Sequence, residues 1–373
     1  MENSPKIFKI AVIGDIHFGI KDSSRLFSEL HQFTDYISKN EIDMVVFNGD
    51  YFDAKLSVGD LATIHAMSFF QAVFNICKER HIPLRMIQGT RSHDLNQLML
   101  FEAFTRDLDA NFRIFETFES ESIAGIDILY LPEEYPEDSK AYYSEVKSKK
   151  YNILFGHGTW DFMSFGAEKK AITGVRHSPV FEYDEWLPAF ENGLAVFGHI
   201  HGRTSHKDKV YYPGSFSRWS FGERGERGFA VVSINLSDNS WSIEHINNTE
   251  APEFNVFSMK EISENIESLS AADAVALIQA NLTENNHFRI DVSGMSADQI
   301  ELIKKSFEDN PLVKLEIKEN RSMLRESSDS ERFKKYEYIT KRQLPLDKTI
   351  QRFCEEELKV KLTLEVIENI LKK

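Results

Sequence analysis

The run "KIAVIGDIH" at residues 9–17 decides how the first half of the chain is read. Ile10, Ala11, Val12 and Ile13 are apolar without alternation, and three of the four are β-branched, which describes a short strand covered on both faces. Gly14 ends the run, and Asp15 and His17 follow at once. The same grammar recurs in "DMVVFNGD" (43–50), "PLRMIQGT" (83–90), "YNILFGHG" (151–158) and "LAVFGHIH" (194–201). Between the first two runs, "SSRLFSELHQFTDYISKN" puts Leu26, Leu30, Phe33 and Ile37 on one helical face, and "LATIHAMSFFQAVFNICKER" separates the second from the third. Strands apolar on both faces and separated by helices predict an α/β sheet with both sides covered. Ligands of such sheets gather at the carboxyl ends of the strands, where these Asp and His residues fall.

Composition narrows the class. A chain of 373 residues exceeds one ordinary core, so more than one unit is expected. No run of about 18 apolar residues exists, which excludes a membrane-spanning helix. "MENSPKIFKI" lacks the basic and apolar regions of a signal peptide, so a cytoplasmic location is expected. The two cysteines, Cys77 and Cys354, sit in helical, partly apolar segments and read as small buried residues rather than a disulfide framework. A net charge of −15 argues against a broadly basic surface that coats nucleic acid. Any nucleic-acid contact has to be local, metal-assisted or supplied by a partner.

After residue 205, "KVYYPGS", "RGFAVVSINL" and "SWSIEHI" read as further strands, expected to be antiparallel. The first domain is placed at 1–250. Residues 251–322 change rhythm: Ser270 with Asp273 and Ser296 with Gln299 open two helices as capping boxes, each followed by a strand, "HFRIDVS" and "LVKLEIK". This predicts a small α+β domain. Residues 323–343 are polar and read as a linker, and 344–373 read as two helices. The last 50 residues, 324–373, carry 12 Lys+Arg against 10 Asp+Glu, so the acidity belongs to the body.

Five strand-end loops carry the chemistry: Asp15 and His17, Asp50 and Asp53, His93 and Asp94, His157, and His199 with His201. Carboxylate oxygens with imidazole nitrogens and no thiolate suit Mn, Fe or Zn in a reactive centre better than a structural zinc site. Each loop alone is weak, since Asp after glycine is a common turn element and paired histidines arise on surfaces by chance. Five in order at strand ends make a two-metal site the expectation, with ions about 3.5–4 Å apart clamping a phosphate. The histidines outside these loops read as surface or core residues. His177 reads as a loop residue, and Trp160, Phe162 and Phe165 as buried aromatics rather than a stacking platform.

The order Asp-x-His, Gly-Asp-x-x-Asp, His-Asp, Gly-His, Gly-His-x-His over residues 8 to about 205 resembles the calcineurin-like metallophosphoesterase superfamily. Within it, "YYPGSFSRWSFGERGERGFAVV" (211–232) is similar to a segment of the SbcD repair nucleases and their phage counterparts, with Arg227 as the basic residue before Gly-Phe. The resemblance implies a four-layer sandwich of two mixed β-sheets flanked by helices, an α+β capping domain at 251–322, and C-terminal helices at 344–373 that dock on an ATPase. It implies a DNA phosphodiesterase with two Mn ions, Mg, Fe or Zn being alternatives. The implied function is exonuclease or endonuclease cleavage at DNA ends, duplex or single-stranded, in recombination and repair. The implied partner is an SbcC-like coiled-coil ATPase, in a heterotetramer built on a homodimer and located in the cytoplasm, the host's if phage-encoded.

Carried over residue by residue, Asp15, His17 and His201 hold one ion, His157 and His199 the other, and Asp50 bridges. Asp53 orients its loop from behind the ligands, and Arg218 falls in the similar segment, toward ligands or substrate. His93 donates a proton to the leaving sugar oxygen or stabilises the charge developing on the phosphate, and Asp94 orients it. The family's Gly-Asn-His-Asp loop is here "GTRSHD" (89–94), without the asparagine that supplies a neutral oxygen to the second ion. Thr90, Ser92, a backbone carbonyl or water must substitute; alternatively His93 turns onto the metal and Arg91 faces the phosphate. Two other functions fit parts of the pattern: a small-substrate phosphoesterase of the same superfamily, and a catalytically weakened scaffold that binds DNA ends or protein.

Overall fold

A computed structural model describes residues 6–258 except 21, 95 and 164–179, and beyond these 271–281, 286–291, 296–308, 310, 313–316, 348 and 351. It divides into two compact units, the first running to Asn255 and the second beginning at Val256, with the short stretch to His287 grouped with the first.

In the first unit the strands are β1 (Ile7–Ile13), β2 (Met44–Asn48), β3 (Leu84–Ile87), β4 (Phe112–Phe115), β5 (Glu119–Ile123), β6 (Ile126–Leu131) and β7 (Ile153–His157). They continue as β8 (Thr159–Trp160), β9 (Val180–Phe181), β10 (Leu194–Gly198), β11 (Thr204–His206), β12 (Val210–Tyr212), β13 (Gly228–Asn235) and β14 (Trp241–Asn247). Two six-stranded sheets result, in the orders β14-β13-β1-β2-β3-β4 and β11-β12-β10-β7-β6-β5. Strands β1 to β4 run parallel, as do β6, β7 and β10. The expectation of antiparallel strands after residue 205 holds for β13 and β14. It needs correction at β12, which lies parallel to β10 and is antiparallel only to the short β11.

The absence of polar alternation in β1 has a plain cause. Ile10 and Val12 face the other sheet, packing with Ile153, Phe155, Leu194 and Val196, while Ala11 and Ile13 face the helices α1 (Ser23–Glu29), α2 (His31–Lys39) and α3 (Leu61–Glu79). A third cluster covers the outer face of the second sheet with Tyr143, Trp160, Trp186 and Phe190. The layers are therefore helix, sheet, sheet and helix, a four-layer α/β sandwich of two mixed sheets. Leu26, Leu30, Phe33 and Ile37 are all fully buried on the first helical layer. Burial of side chains of this size contributes roughly 1.5–3 kcal/mol each. The single helix expected over 23–40 is broken at Leu30, which ends α1 and begins α2. Trp160 is core, and Phe162 stacks on His206.

The second unit contains helices Ala271–Asn281 and Ala297–Phe307 and strand β17 (Val313–Glu316), which pairs in parallel with β16 (Asn286–Asp291) from Phe288 onward, while β15 (Glu253–Ser258) and β16 each begin in residues grouped with the first unit. The linker read at 323–343 and the tail read at 344–373 lie outside the described residues, Lys348 and Gln351 excepted, as do His177, Phe165 and Cys354. No described helix is long and apolar enough to cross a membrane.

Candidate metal centre

The carboxyl ends of β1, β2 and β3 in one sheet and of β6, β7 and β10 in the other converge on one cluster. The loops there are tied to each other by backbone hydrogen bonds: Asp15 N–H donates to Gly49 O, and Ile16 and His17 N–H both donate to Asp50 O. Asp15, His17, Asp50 and His199 have φ of 48°, 57°, 47° and 91°. Non-glycine residues held in this left-handed region cost on the order of 1–3 kcal/mol each and persist where function requires the geometry. Two glycines are needed for close approach. A Cβ on Gly49 would lie 2.1 Å from His157 Nδ1, and one on Gly89 2.1 Å from the Asp50 backbone nitrogen.

Two sets of possible metal-binding side chains share this cluster, Asp15 with His17 and His201, and Asp50 with His157 and His199; His93 also groups with His17 and Asp50. Each of the first two sets mixes residues from both sheets. His17 Nε2 and His201 Nε2 are 2.9 Å apart, and His157 Nε2 is 3.2 Å from Asp50 Oδ2. Asp50 is also bound at Oδ1 by the Thr90 N–H (2.6 Å). Asp15 accepts the His199 N–H on both oxygens, at 2.9 and 3.2 Å.

The outer nitrogen of each imidazole selects its tautomer. His157 Nδ1–H donates to the backbone oxygen of Asn48 (3.0 Å), His201 Nδ1–H to Glu223 Oε1 (2.8 Å), and His17 Nδ1 faces Asp53 Oδ1 (3.4 Å). Each arrangement leaves Nε2 with its lone pair turned inward, the form that binds a cation. His157 Nε2 is fully buried and faces the carboxylates of Asp50 (3.2 Å) and Glu133 (3.8 Å). Lone pairs 2.9 Å apart repel unless a proton or a cation lies between them, so the imidazole and carboxylate donors facing one another here fit a pair of divalent ions.

Electrostatics agree. Burial raises the Asp50 carboxyl, yet His157, His17 and His93 hold it far below the carboxylate range. Burial lowers the His157 imidazole, but Asp50, Asp15 and Glu133 raise it well above its ordinary value, whereas burial and the neighbouring His157 lower His199. A carboxylate-rich pocket that holds protons on imidazole is one in which cations can replace those protons.

Several expected residues are placed differently from the reading above. Asp94 does not contact the His93 ring; it is fully buried and its carboxyl accepts the backbone N–H groups of Phe52 (3.0 Å) and Gly89 (2.8 Å). Burial and the Asp50 charge push it up to about 7. Its geometry fixes the turn that carries His93, whose Nδ1 lies 3.2 Å from His17 Nδ1. Ser92 is exposed on the helical turn, while Thr90 Oγ1 lies 3.3 Å from Asp50 Oδ2 and 3.4 Å from His199 Nδ1. Arg91 sits over the Tyr135 ring. Arg218 donates to the backbone oxygens of Pro252 and Gly225, which ties its segment to residue 252.

Sequence reasoning missed two residues. Glu223, in the "SFGE" stretch, holds His201 and also accepts the Trp219 N–H, while Arg227 donates to His201 O. Glu133 stands among the ligand atoms of the second set and is taken up below. Its signal was present in "ILYLPEE": an apolar run closing on a carboxylate at a strand end, with proline where the other runs have glycine.

A phosphoester hydrolase built on two ions at the ends of parallel strands is the class that this fold and cluster define. The calcineurin-like phosphoesterase family matches residues 8–203, more than half of the chain, and the chain belongs to that family. "Putative phosphoesterase 244L" of Invertebrate iridescent virus 6 is 24% identical over 233 residues, 61% of this chain and 76% of that protein. The like-named 078R of Invertebrate iridescent virus 3 is 25% identical over 266 residues, 66% and 71% of the two chains. Among solved structures, GAP50, the anchor in the inner membrane complex of Plasmodium, is similar with a TM-score of 0.40 at 14% identity, covering 65% of this chain and 85% of that one. At that score the likeness carries no argument of its own.

Proposed function

We propose that the chain is a Mn-dependent DNA phosphodiesterase that cuts or resects DNA ends, working with an SbcC-like coiled-coil ATPase. The observation that carries this reading is the bond from His201 to Glu223. It makes the segment similar to the SbcD nucleases part of the support of a metal-binding histidine, not a separate surface feature. The match to the family ends at residue 203, before this segment, while it takes in all five strand-end loops.

When bound, two divalent ions would polarise the phosphodiester and lower the pKa of the attacking water. Asp15, His17 and His201 would hold one and His157 and His199 the other, with Asp50 between them. The chain's own residues supply orientation and proton transfer. Asp53 and Glu223 keep His17 and His201 in the inward-facing tautomer. His93, half-buried at the edge of the cluster, donates a proton to the leaving sugar oxygen, a contribution of about 10²–10⁴-fold for a positioned acid. Asp94 keeps the His93 turn in place through backbone contacts.

The acidic body suits a subunit that obtains most of its DNA affinity from metal ions and from a partner. Residues 344–373 are the proposed docking segment, and a homodimer within a heterotetramer is the proposed assembly. Deleting 344–373 is expected to abolish binding to the ATPase and leave the metal content unchanged.

The test is degradation of an end-labelled linear duplex in Mn by wild type, His93→Ala and Asp50→Ala. Cutting by wild type, lost in both variants while His93→Ala retains its metals, supports the reading. Turnover of nucleoside monophosphates with an untouched duplex would assign a small-substrate phosphoesterase instead. An inert wild type in the presence of its ATPase and ATP would leave the scaffold reading.

A further inference from the structure

We propose that Glu133 is a ligand of the ion on the His157–His199 side, supplying from the second sheet the oxygen that the "GTRSHD" loop lacks. This rests on the two-metal reading and assigns a residue to it that no part of the motif contains.

Glu133 follows β6, and only 1% of its surface is exposed. Its Oε2 lies 3.1 Å from Thr90 Oγ1, 3.4 Å from His199 Nδ1 and 3.8 Å from His157 Nε2. Ligand atoms held about 2.1 Å from one ion stand roughly 3.0–3.4 Å apart when adjacent and about 4.2 Å when opposite, by simple geometry from ordinary bond lengths. The 3.4 Å distance from Glu133 to His199 is that of adjacent ligands, and the 3.8 Å distance to His157 lies between the adjacent and opposite values. The buried His157 Nε2 stands between this carboxylate and Asp50 Oδ2, 3.2 Å from the latter, so both carboxylates face the same imidazole nitrogen.

A purely structural role explains the carboxylate poorly. Its hydrogen-bond donors are hydroxyls, Thr90 at Oε2 and Tyr135 at Oε1. Among the described residues its ion-pair neighbours are the two histidines, and no Lys or Arg is within reach. Arg91 is near, but its guanidinium lies over the Tyr135 ring, 4.7 Å from the centroid. A buried carboxylate with so little positive charge beside it is costly unless a cation completes the site. Tyr135 then orients the carboxylate, as carboxylates that bind metals are usually oriented in turn by hydrogen bonds.

The consequence is chemical. With Glu133 the second set holds two carboxylates and two imidazoles, where the family pattern has a neutral amide oxygen. The site gains a negative charge and a harder donor, which strengthens retention of a divalent ion such as Mn.

The test is Mn titration of the purified 373-residue chain, read from the paramagnetic resonance signal of free Mn and from metal content after gel filtration. Wild type should bind two Mn per chain. Glu133→Gln, similar in shape but neutral, should keep one ion at wild-type affinity and bind the other at least about tenfold more weakly. Glu134→Gln, at the adjacent carboxylate that accepts Phe118 N–H and the Tyr142 hydroxyl, should bind both as wild type does. Two tight Mn in Glu133→Gln would overturn the assignment and leave the two-metal reading intact. Fewer than two in wild type would overturn both. Should Glu133→Gln not fold, Glu133→Asp carries the test: it draws the oxygen back by one methylene, and an unchanged second site in that variant would equally overturn the proposal.

Discussion

The two halves of the metal centre draw ligands from the same pair of sheets yet secure them differently. On the Asp15–His17–His201 side the supporting carboxylates stand behind the imidazoles, Asp53 behind His17 and Glu223 behind His201. On the His157–His199 side the support behind His157 is a neutral backbone oxygen, that of Asn48, and a carboxylate, Glu133, stands in front, among the inward-facing atoms. The carboxylates of the two halves thus stand at different depths. A loop change in one sheet, the missing asparagine of "GTRSHD", has a counterpart in the other sheet, and a comparison confined to the motif would record only a loss.

The largest effect should come from Asp50, whose Oδ2 lies 3.9 Å from His17 Nε2 and 3.2 Å from His157 Nε2, facing both halves. Asp50→Asn is expected to lower phosphoester hydrolysis by about three orders of magnitude, because it removes the negative charge that faces both sets of possible metal-binding side chains. Metal analysis should show at least one ion lost, and two retained ions with full activity would break the comparison at its centre. Next comes the support behind one half. Glu223→Gln should weaken one ion by roughly 10–100-fold and leave the other unchanged, as read by Mn titration. Equal loss at both sites would show that the halves are not independently secured. Asp53→Asn tests the same side through a more exposed carboxylate, 31% accessible, so a smaller change of up to about tenfold is expected in the same titration.

A change remote from both halves should leave metal binding unmoved. Glu121 receives Arg85 Nε at 2.5 Å and the Tyr130 hydroxyl at 2.7 Å. Burial raises its carboxyl, but Arg85 and Tyr130 bring it below its ordinary value. Because its folded pKa is depressed, its stabilisation is present above the unfolded value near 4.5 and is lost as pH falls below it. Glu121→Gln should therefore cost roughly 2–4 kcal/mol at neutral pH, since it leaves the buried Arg85 without its charge partner, and should flatten the acid-side decline of stability. Denaturant melts across about pH 3–7 check both, and an unchanged profile would remove Glu121 as the source of that slope.

Much of the centre was legible because its residues obey a local rule. Asp15, His17, Asp50, His157, His199 and His201 each follow or close an apolar run marked by glycine, and the chemistry of their side chains narrows what they can bind. The helical layer was legible from Leu26, Leu30, Phe33 and Ile37, whose spacing is itself the buried face. What escaped reading depends on contacts across the chain. Glu133 is 43 residues from Thr90, and nothing near it in sequence indicates the pairing. Glu223 reaches back 22 residues to His201. Arg218 was placed toward ligands or substrate by its position in the similar segment, and its bonds to the carbonyls of Pro252 and Gly225 depend on a fold that the segment alone does not state. The parallel course of β12 was hidden because a three-residue strand states its composition and not its direction.

Asn48 has a consequence of another kind. Its side-chain Nδ2 donates to Val196 O in β10, while its own backbone oxygen receives His157 Nδ1 from β7, so one residue of the first sheet is pinned at two points to the second. The apolar layer between the sheets is non-directional: it sets how far apart they lie but resists sliding only weakly. Asn48 works there as a dowel, fixing the offset of one sheet against the other. Since each set of inward-facing atoms mixes both sheets, that offset sets how far the Asp and His side chains of one sheet stand from those of the other, and Asn48 shares this gauging with the bond from His199 N–H to Asp15.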